Sequence, residues 1–239
     1  MNNTIKELME RKSTRQFSGR EITNEEKETI FLAASNAPSA GNMQMYSIID
    51  VTDQNMKERL AVLCDNQPFI ASAKMVLVFV ADYIKWTDAF EIAGANPRTL
   101  GKGDLLLAIE DTVIAAQNAV TAAESLGIGS CYIGDIMENH DQVKELLNLP
   151  DQVYPACMLV FGYPTEEAKN RVKPKRFPLK HLVFENTYKR RDEETLRNMF
   201  SGKTAEYESW LNAFCTRKYN SDFSLEMSES AEKYLKEFK

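Results

Sequence analysis

Residues 104–127, DLLLAIEDTVIAAQNAVTAAESLG, constrain the fold more than any other stretch of this chain. Asp104 is a capping residue type and Gly127 a helix-stop type, so the run predicts one long helix. Its small side chains, Ala108, Ala115, Ala116, Ala119, Ala122 and Ala123, fall on several faces. A helix that is apolar on most faces needs cover on most sides, which makes it a central core helix. Asp111, Gln117 and Asn118 interrupt it, and buried polar groups of this kind are expected to serve as hydrogen-bond partners or at an interface.

The cover for such a helix is visible elsewhere. KMVLVFVAD (74–82) is a continuous apolar run, the pattern of a strand buried on both faces, and ACMLVFGYP (156–164) repeats it. YSIIDVT (46–52) and SCYIGD (130–135) read as shorter strands. Ile5, Leu8 and Met9 predict a helix ending near Lys12, and Thr23 with Glu26 forms a capping box opening a helix to Ser35. Asp53 and Asn139 cap helices running to about Cys64 and Leu149. NAPSAGNMQMY (36–46) is a loop by composition. Residues 83–103, with Gly94, Pro97, Gly101 and Gly103, have no clear period and read as an irregular excursion or lid. After a charged loop at 165–180, HLVFENTY (181–188) reads as extended, and from Asp192 the chain is helical and charged. Four strands among seven or eight helices, without regular alternation, predict an α+β fold rather than a doubly wound sheet.

Composition sets limits on what such a fold does. Lys plus Arg number 29 against 35 Asp plus Glu, a net charge of −6, which argues against broad nucleic-acid binding. Four scattered cysteines without metal-type spacing read as reduced thiols of a cytoplasmic protein. Two histidines exclude a histidine-rich metal site. The charged N-terminus lacks a secretory core, and no run of about 18 uncharged apolar residues predicts a membrane span.

Against that acidic background, RKSTR (11–15) concentrates Arg11, Lys12 and Arg15 around two hydroxyls. In an extended segment Arg11, Ser13 and Arg15 share a side, and guanidinium forks beside a hydroxyl suit a phosphate. The helix macrodipole accounts for Arg11 and Lys12 without any ligand, and less well for Arg15. Lys173, Lys175 and Arg176 form a second cationic loop, which is either a solvated charge run or a second anion contact. GIGSCYIG (127–134) follows a helix and precedes a strand, the reverse of a dinucleotide fingerprint, so a Rossmann site is rejected. Gly134 would still admit a flat ligand close to the backbone.

Taken together, RKSTRQF, APSAGNMQ, NQPFI, DTVIAAQNAVTAAESLGIGSCYIG and KPKRFP…VFENTY occur in the order seen in the nitroreductase family of FMN-dependent oxidoreductases, which the chain resembles from about residue 3 to 190. The resemblance implies a nitroreductase-like α+β fold: a central mixed or antiparallel sheet flanked by helices, with an extended C-terminal helical arm. It implies a single domain over 1–239, with 1–190 as the FMN-binding core and 191–239 as a helical extension. Arg11 and Ser13 match positions that bind the FMN phosphate, Lys12 contributes through its backbone, and Arg15 matches the basic position at the flavin N1–C2 edge. Gln67 matches an amide at the pyrimidine edge. Tyr132, Ile133 and Gly134 match the strand end whose backbone lies near N5. Lys173 and Arg176 resemble a second phosphate clamp, with Lys175 as a substitute for Lys173. Pro38, Ser39 and Asn42 match a loop that reaches the flavin of the other subunit. Asp135 departs from the family, standing where a second glycine is common.

What the resemblance implies chemically is ping-pong hydride transfer through flavin N5, from NAD(P)H to a nitroaromatic, quinone or flavin acceptor, without a catalytic side chain or a metal. The implied assembly is a homodimer of a soluble enzyme acting on small molecules, with neither nucleic acid nor membrane as partner. Same-fold alternatives are a dedicated flavin reductase or a reductive dehalogenase; a nonenzymatic phosphate-ligand protein is the alternative from another class. NADH and NADPH are not distinguished by the sequence.

Overall fold

β1 (Tyr46–Asp50), β2 (Met75–Asp82), β3 (Gly129–Ile133) and β4 (Val153–Gly162) form one sheet in the order β1-β2-β4-β3. Every pairing is antiparallel, so the mixed option falls away. Alternation along β2 explains why its sequence is apolar throughout. Met75, Leu77 and Phe79 enter one core cluster, whereas Val76, Val78 and Val80 enter another on the opposite face. A strand covered on both faces has no position left for a polar side chain.

The computed structural model describes residues 1–239. It divides into two compact units, Met1–Arg171 together with Glu226–Lys239, and Val172–Leu225. In the first unit, α5 (Lys102–Ser125) and α2 (Asn24–Ser35) cover one face of the sheet through Ala115, Ala116, Ala119, Val120, Ile30 and Ala34. α3 (Gln54–Leu63) and α6 (His140–Leu147) cover the other through Leu60, Ala61, Val143 and Leu147. The long predicted helix is therefore the central one, and its alanines let it approach the strands closely. α5 is long and apolar enough to cross a membrane by length and composition, a measure the sequence reading excluded on its charges. In the fold its alanines and Val120 face the sheet, whereas Leu106, Leu107, Val113 and Ile114 stay exposed.

α1 (Asn3–Glu10) precedes the cationic segment, and α7 (Glu166–Asn170) follows β4. The excursion after β2 is not irregular throughout: Ile84–Ile92 forms a helix, α4. It has no buried residue and no side-chain cap at its start, so the sequence carries neither an apolar stripe nor a cap signal for it. Gly101 rather than Asp104 is the N-cap of α5, and the Asp104 carboxylate reaches back to the Gly101 N–H at 2.8 Å. Asn139 precedes α6 but makes no cap hydrogen bond; its amide donates to the Leu63 carbonyl at 2.7 Å.

The second unit holds α8 (Glu193–Phe200) and α9 (Tyr207–Lys218). Phe200 gathers Phe177, Tyr207 and Trp210 around it at ring separations of 5.1, 5.9 and 6.0 Å. Residues 181–188 form no strand, and a 3₁₀ turn at Leu179–His181 leads into them. α10 (Asp222–Lys236) brings the total to ten α-helices. Its buried Tyr234, with Phe238, joins Met45, Leu100, Leu105 and Tyr154 in a third core cluster of the first unit.

Candidate functional site

The segment after α1 runs along the free edge of β3. The Thr14 N–H donates to the Ser130 carbonyl at 2.9 Å, and Ser13 bridges Ser130 in parallel. Farther on, the Ser18 N–H donates to the Tyr163 carbonyl at 2.7 Å, and Phe17 bridges Pro164. Two glycines make this close approach possible. A Cβ on Gly129 would lie 2.5 Å from Thr14 Oγ1, and one on Gly162 would lie 2.6 Å from the Phe17 ring. The glycine-rich stretch after α5 therefore serves segment packing, which only the fold reveals.

This extended path sets Arg11, Ser13 and Arg15 along β3, with Ser13 paired to Ser130. Arg11 donates weakly to Ser130 Oγ at 3.5 Å, lies 5.9 Å from the Tyr132 ring centre, and keeps a buried Nε with no hydrogen-bond partner. Arg15 sits 5.6 Å from the Phe69 ring centre and is exposed. Neither guanidinium enters a salt bridge, and neither does Asp135. The buried Cys131 thiol lies among them: burial pushes it up, while Arg15, a hydrogen bond with Ser13, and Arg11 oppose the shift. Lys12 is used differently, since its ammonium donates to the Arg171 carbonyl at 2.6 Å and to the Lys169 carbonyl, at the C-terminal end of α7.

Gln67 reaches the residues just past the C-terminal end of β3. Asp65 and Asn66, both left-handed at φ +59° and +49°, turn the chain after α3. The Gln67 amide then donates to the Cys64 carbonyl at 2.8 Å and to Asp135 Oδ2 at 2.7 Å. Tyr132 is half-buried and donates to Gln117 Oε1 at 3.3 Å, and Ile133 is buried in the core. Gly134 is exposed, and a Cβ there would meet no atom within 4 Å. No protein contact accounts for a glycine at that position.

Pro38, Ser39 and Asn42 lie on a separate loop. Its hydrogen bonds run to α2, α4 and α5. Asp111, only 3% exposed, accepts from the Ala40 N–H at 2.9 Å and the Met45 N–H at 3.3 Å. Gln44 Nε2 donates to the Ser35 carbonyl, and the Trp86 indole donates to the Met43 carbonyl at 2.7 Å. Gly41, Asn42 and Gln44 all have positive φ, near +50 to +58°. The polar residues of α5 thus have partners: Asp111 holds this loop, Asn118 donates to the Ala33 carbonyl at 3.1 Å, and Gln117 binds Thr121 and Tyr132. Sequence reasoning did not connect Asp111 with the loop. Lys173 and Arg176 belong to the second unit. A cavity of about 360 Å³ lined by Tyr83, Phe90, Pro97 and Arg98 touches none of the expected site residues.

Residues 8–163 match the nitroreductase family. The chain belongs to that family. It is 38% identical over 208 residues to the oxygen-insensitive NADPH nitroreductase of Salmonella typhimurium, covering 87% of this chain and 83% of that protein. It is 37% identical over 190 residues to the FMN reductase (NADPH) of Bacillus subtilis, covering 79% and 75%. Among solved structures it is similar to NfrA2 of B. megaterium, at a TM-score of 0.87 and 29% identity over the full length of both chains. The matched residues span the whole antiparallel sheet and the cationic segment along β3.

Proposed function

We propose that this nitroreductase-family chain is an FMN-dependent NAD(P)H oxidoreductase, with its cofactor seated against the end of β3. One observation carries the reading. Two guanidinium groups without ion pairs, one with a buried unpartnered Nε, stand beside a hydroxyl along a strand that leads to an open glycine. That donor set fits FMN. A phosphate calls for charged forks and a hydroxyl, supplied by Arg11 and Ser13, with the Lys12 backbone beside them. The flat ring system calls for backbone without a side chain, supplied at Gly134 after Tyr132 and Ile133. Arg15 is the cation for the N1–C2 edge, and Gln67 is the amide for the pyrimidine edge. Lys173 and Arg176 are the second unit's candidate anion contacts, and Pro38, Ser39 and Asn42 reach the cofactor of a second copy.

The chemistry that FMN supplies when bound is two-electron hydride transfer at N5, accepted from NAD(P)H and passed to a nitroaromatic, quinone or flavin acceptor. The side chains of this protein bind, orient and set charge; none is required to move a proton. The names of the relatives, an NADPH nitroreductase and an NADPH-dependent FMN reductase, agree with that reaction class.

The chain functions as a single nitroreductase-like domain, with 191–239 as a helical extension, in a cytoplasmic homodimer. Support for the dimer comes from α5, where Leu106, Leu107, Val113 and Ile114 remain 39–60% exposed on a helix otherwise packed in the core. Support for a reducing compartment comes from the cysteines, all four of which are free thiols. Fluorescence titration with FMN tests the cofactor site. Arg11→Ala and Arg15→Ala should each raise the dissociation constant about tenfold or more, as expected for losing a charged hydrogen-bond donor. Wild-type affinity in both variants would contradict the site.

A further inference from the structure

Asp135 follows β3 at the first position of a 3₁₀ turn, Asp135–Met137. Its Oδ2 accepts from Gln67 Nε2 at 2.7 Å, and the other amide proton of Gln67 goes to the Cys64 carbonyl at 2.8 Å. Both donors are therefore committed to acceptors that lack protons of their own. Turning the amide by 180° would face its oxygen toward a carboxylate and a carbonyl, which cannot donate. The amide has one orientation, and Oε1 is the only atom it offers to a ligand.

The carboxylate sits in unfavourable company for a surface residue. Glu138 is near, and its carboxyl is pushed up to about 7 by burial, by the Asp135 charge and by Glu226. Asp135 itself has no cation in ion-pair contact. Its hydrogen bond to Gln67 is the interaction that offsets this repulsion, and the two residues stand 68 positions apart in sequence. The glycine common in the family at this position would leave one amide proton without its acceptor.

We propose that Asp135 is a positioning residue that locks the Gln67 amide with Oε1 outward, so that the site selects a ligand edge presenting a hydrogen-bond donor there. The inference rests on the flavin reading of this site. The pyrimidine ring of a flavin presents an N–H at N3 between two carbonyl oxygens, which is a donor for a single fixed acceptor. A freely rotating amide would serve either a donor or an acceptor and would select neither.

The test compares FMN with N3-methyl-FMN, which lacks that donor, on the wild type, Asp135→Asn and Asp135→Ala. Wild type should prefer FMN by about tenfold or more, the scale of a hydrogen bond in a partly buried site. Asp135→Asn, whose Oδ1 still accepts, should keep most of that preference. Asp135→Ala should lose severalfold of it. In the cofactor-free protein, one side-chain amide proton of Gln67 should exchange faster with solvent in Asp135→Ala, seen by NMR, and neither should change in Asp135→Asn. An Asp135→Ala protein that keeps both the preference and the slow amide protons, while the wild type binds FMN, would overturn the lock and leave the flavin reading standing. A wild-type protein that binds no FMN would overturn the flavin reading and this assignment with it.

Discussion

A methyl group on Gly129 would lie 2.5 Å from Thr14 Oγ1 and 2.8 Å from Thr14 Cβ, so the backbone of the cationic segment itself would have to move. Gly129→Ala should therefore destabilise the protein by about 1–3 kcal/mol, the usual cost of overpacking. It should also weaken FMN binding, because Ser13 and Arg15 flank Thr14; thermal denaturation and FMN titration on the same sample check both. Glu138 makes a different kind of prediction. Its folded pKa is pushed up to about 7 from the ordinary 4.5 of a glutamate. The folded protein thus holds this proton more tightly than the unfolded chain, and the associated stability is present below pH 4.5 and is lost as pH rises to 7. Glu138→Gln should flatten that part of the stability profile relative to wild type between pH 4.5 and 7, and parallel profiles for the two proteins would contradict it. At this scale the sequence exposed the cation cluster, because three charges within five residues are a local signal. Gly129 with Thr14, and Gln67 with Asp135, are pairs distant in sequence, and nothing local marks either one.

The loop before β1 is held from two elements at once. Asp111 on α5 accepts two of its backbone N–H groups, and Trp86 on α4 donates to its Met43 carbonyl. Asp111→Ala strands those two donors, one of them on the fully buried Met45, and should cost about 1–3 kcal/mol. Hydrogen exchange should localise the loss of protection to residues 40–45. Gly41 sits at φ +58° with only ordinary contacts for a Cβ, so Gly41→Ala should cost about 1–2 kcal/mol from backbone strain alone. Where an element signals its own ends, the sequence reads it correctly. Thr23 and Glu26 make the reciprocal capping box, with the Thr23 N–H donating to Glu26 at 2.8 Å. The apolar run of β2 reads as a doubly covered strand for the same reason, because burial leaves its mark on every residue. α4 leaves no such mark, because it has neither a buried face nor a side-chain cap. The start of α5 is ambiguous in sequence because a carboxylate at the third helical position, Asp104, bonds the same first turn as one at the cap.

For the whole molecule, the layered core and the path of residues 11–14 along β3 fit a flavin-binding nitroreductase, and the exposed stripe on α5 is the surface that the proposed dimer would bury. Leu106 is 60% exposed in the single chain, so Leu106→Glu should leave the fold intact and shift the protein toward monomer on analytical sizing. An unchanged elution volume would remove α5 from the interface. The central claim is tested most directly by the absorbance of the purified protein between about 300 and 550 nm, with FMN supplied if needed, before and after NADPH is added without air. The account predicts two flavin bands that bleach on addition of NADPH and return when an acceptor is admitted. A protein that takes up no FMN, or whose bound FMN is not reduced by either NADPH or NADH, would contradict it.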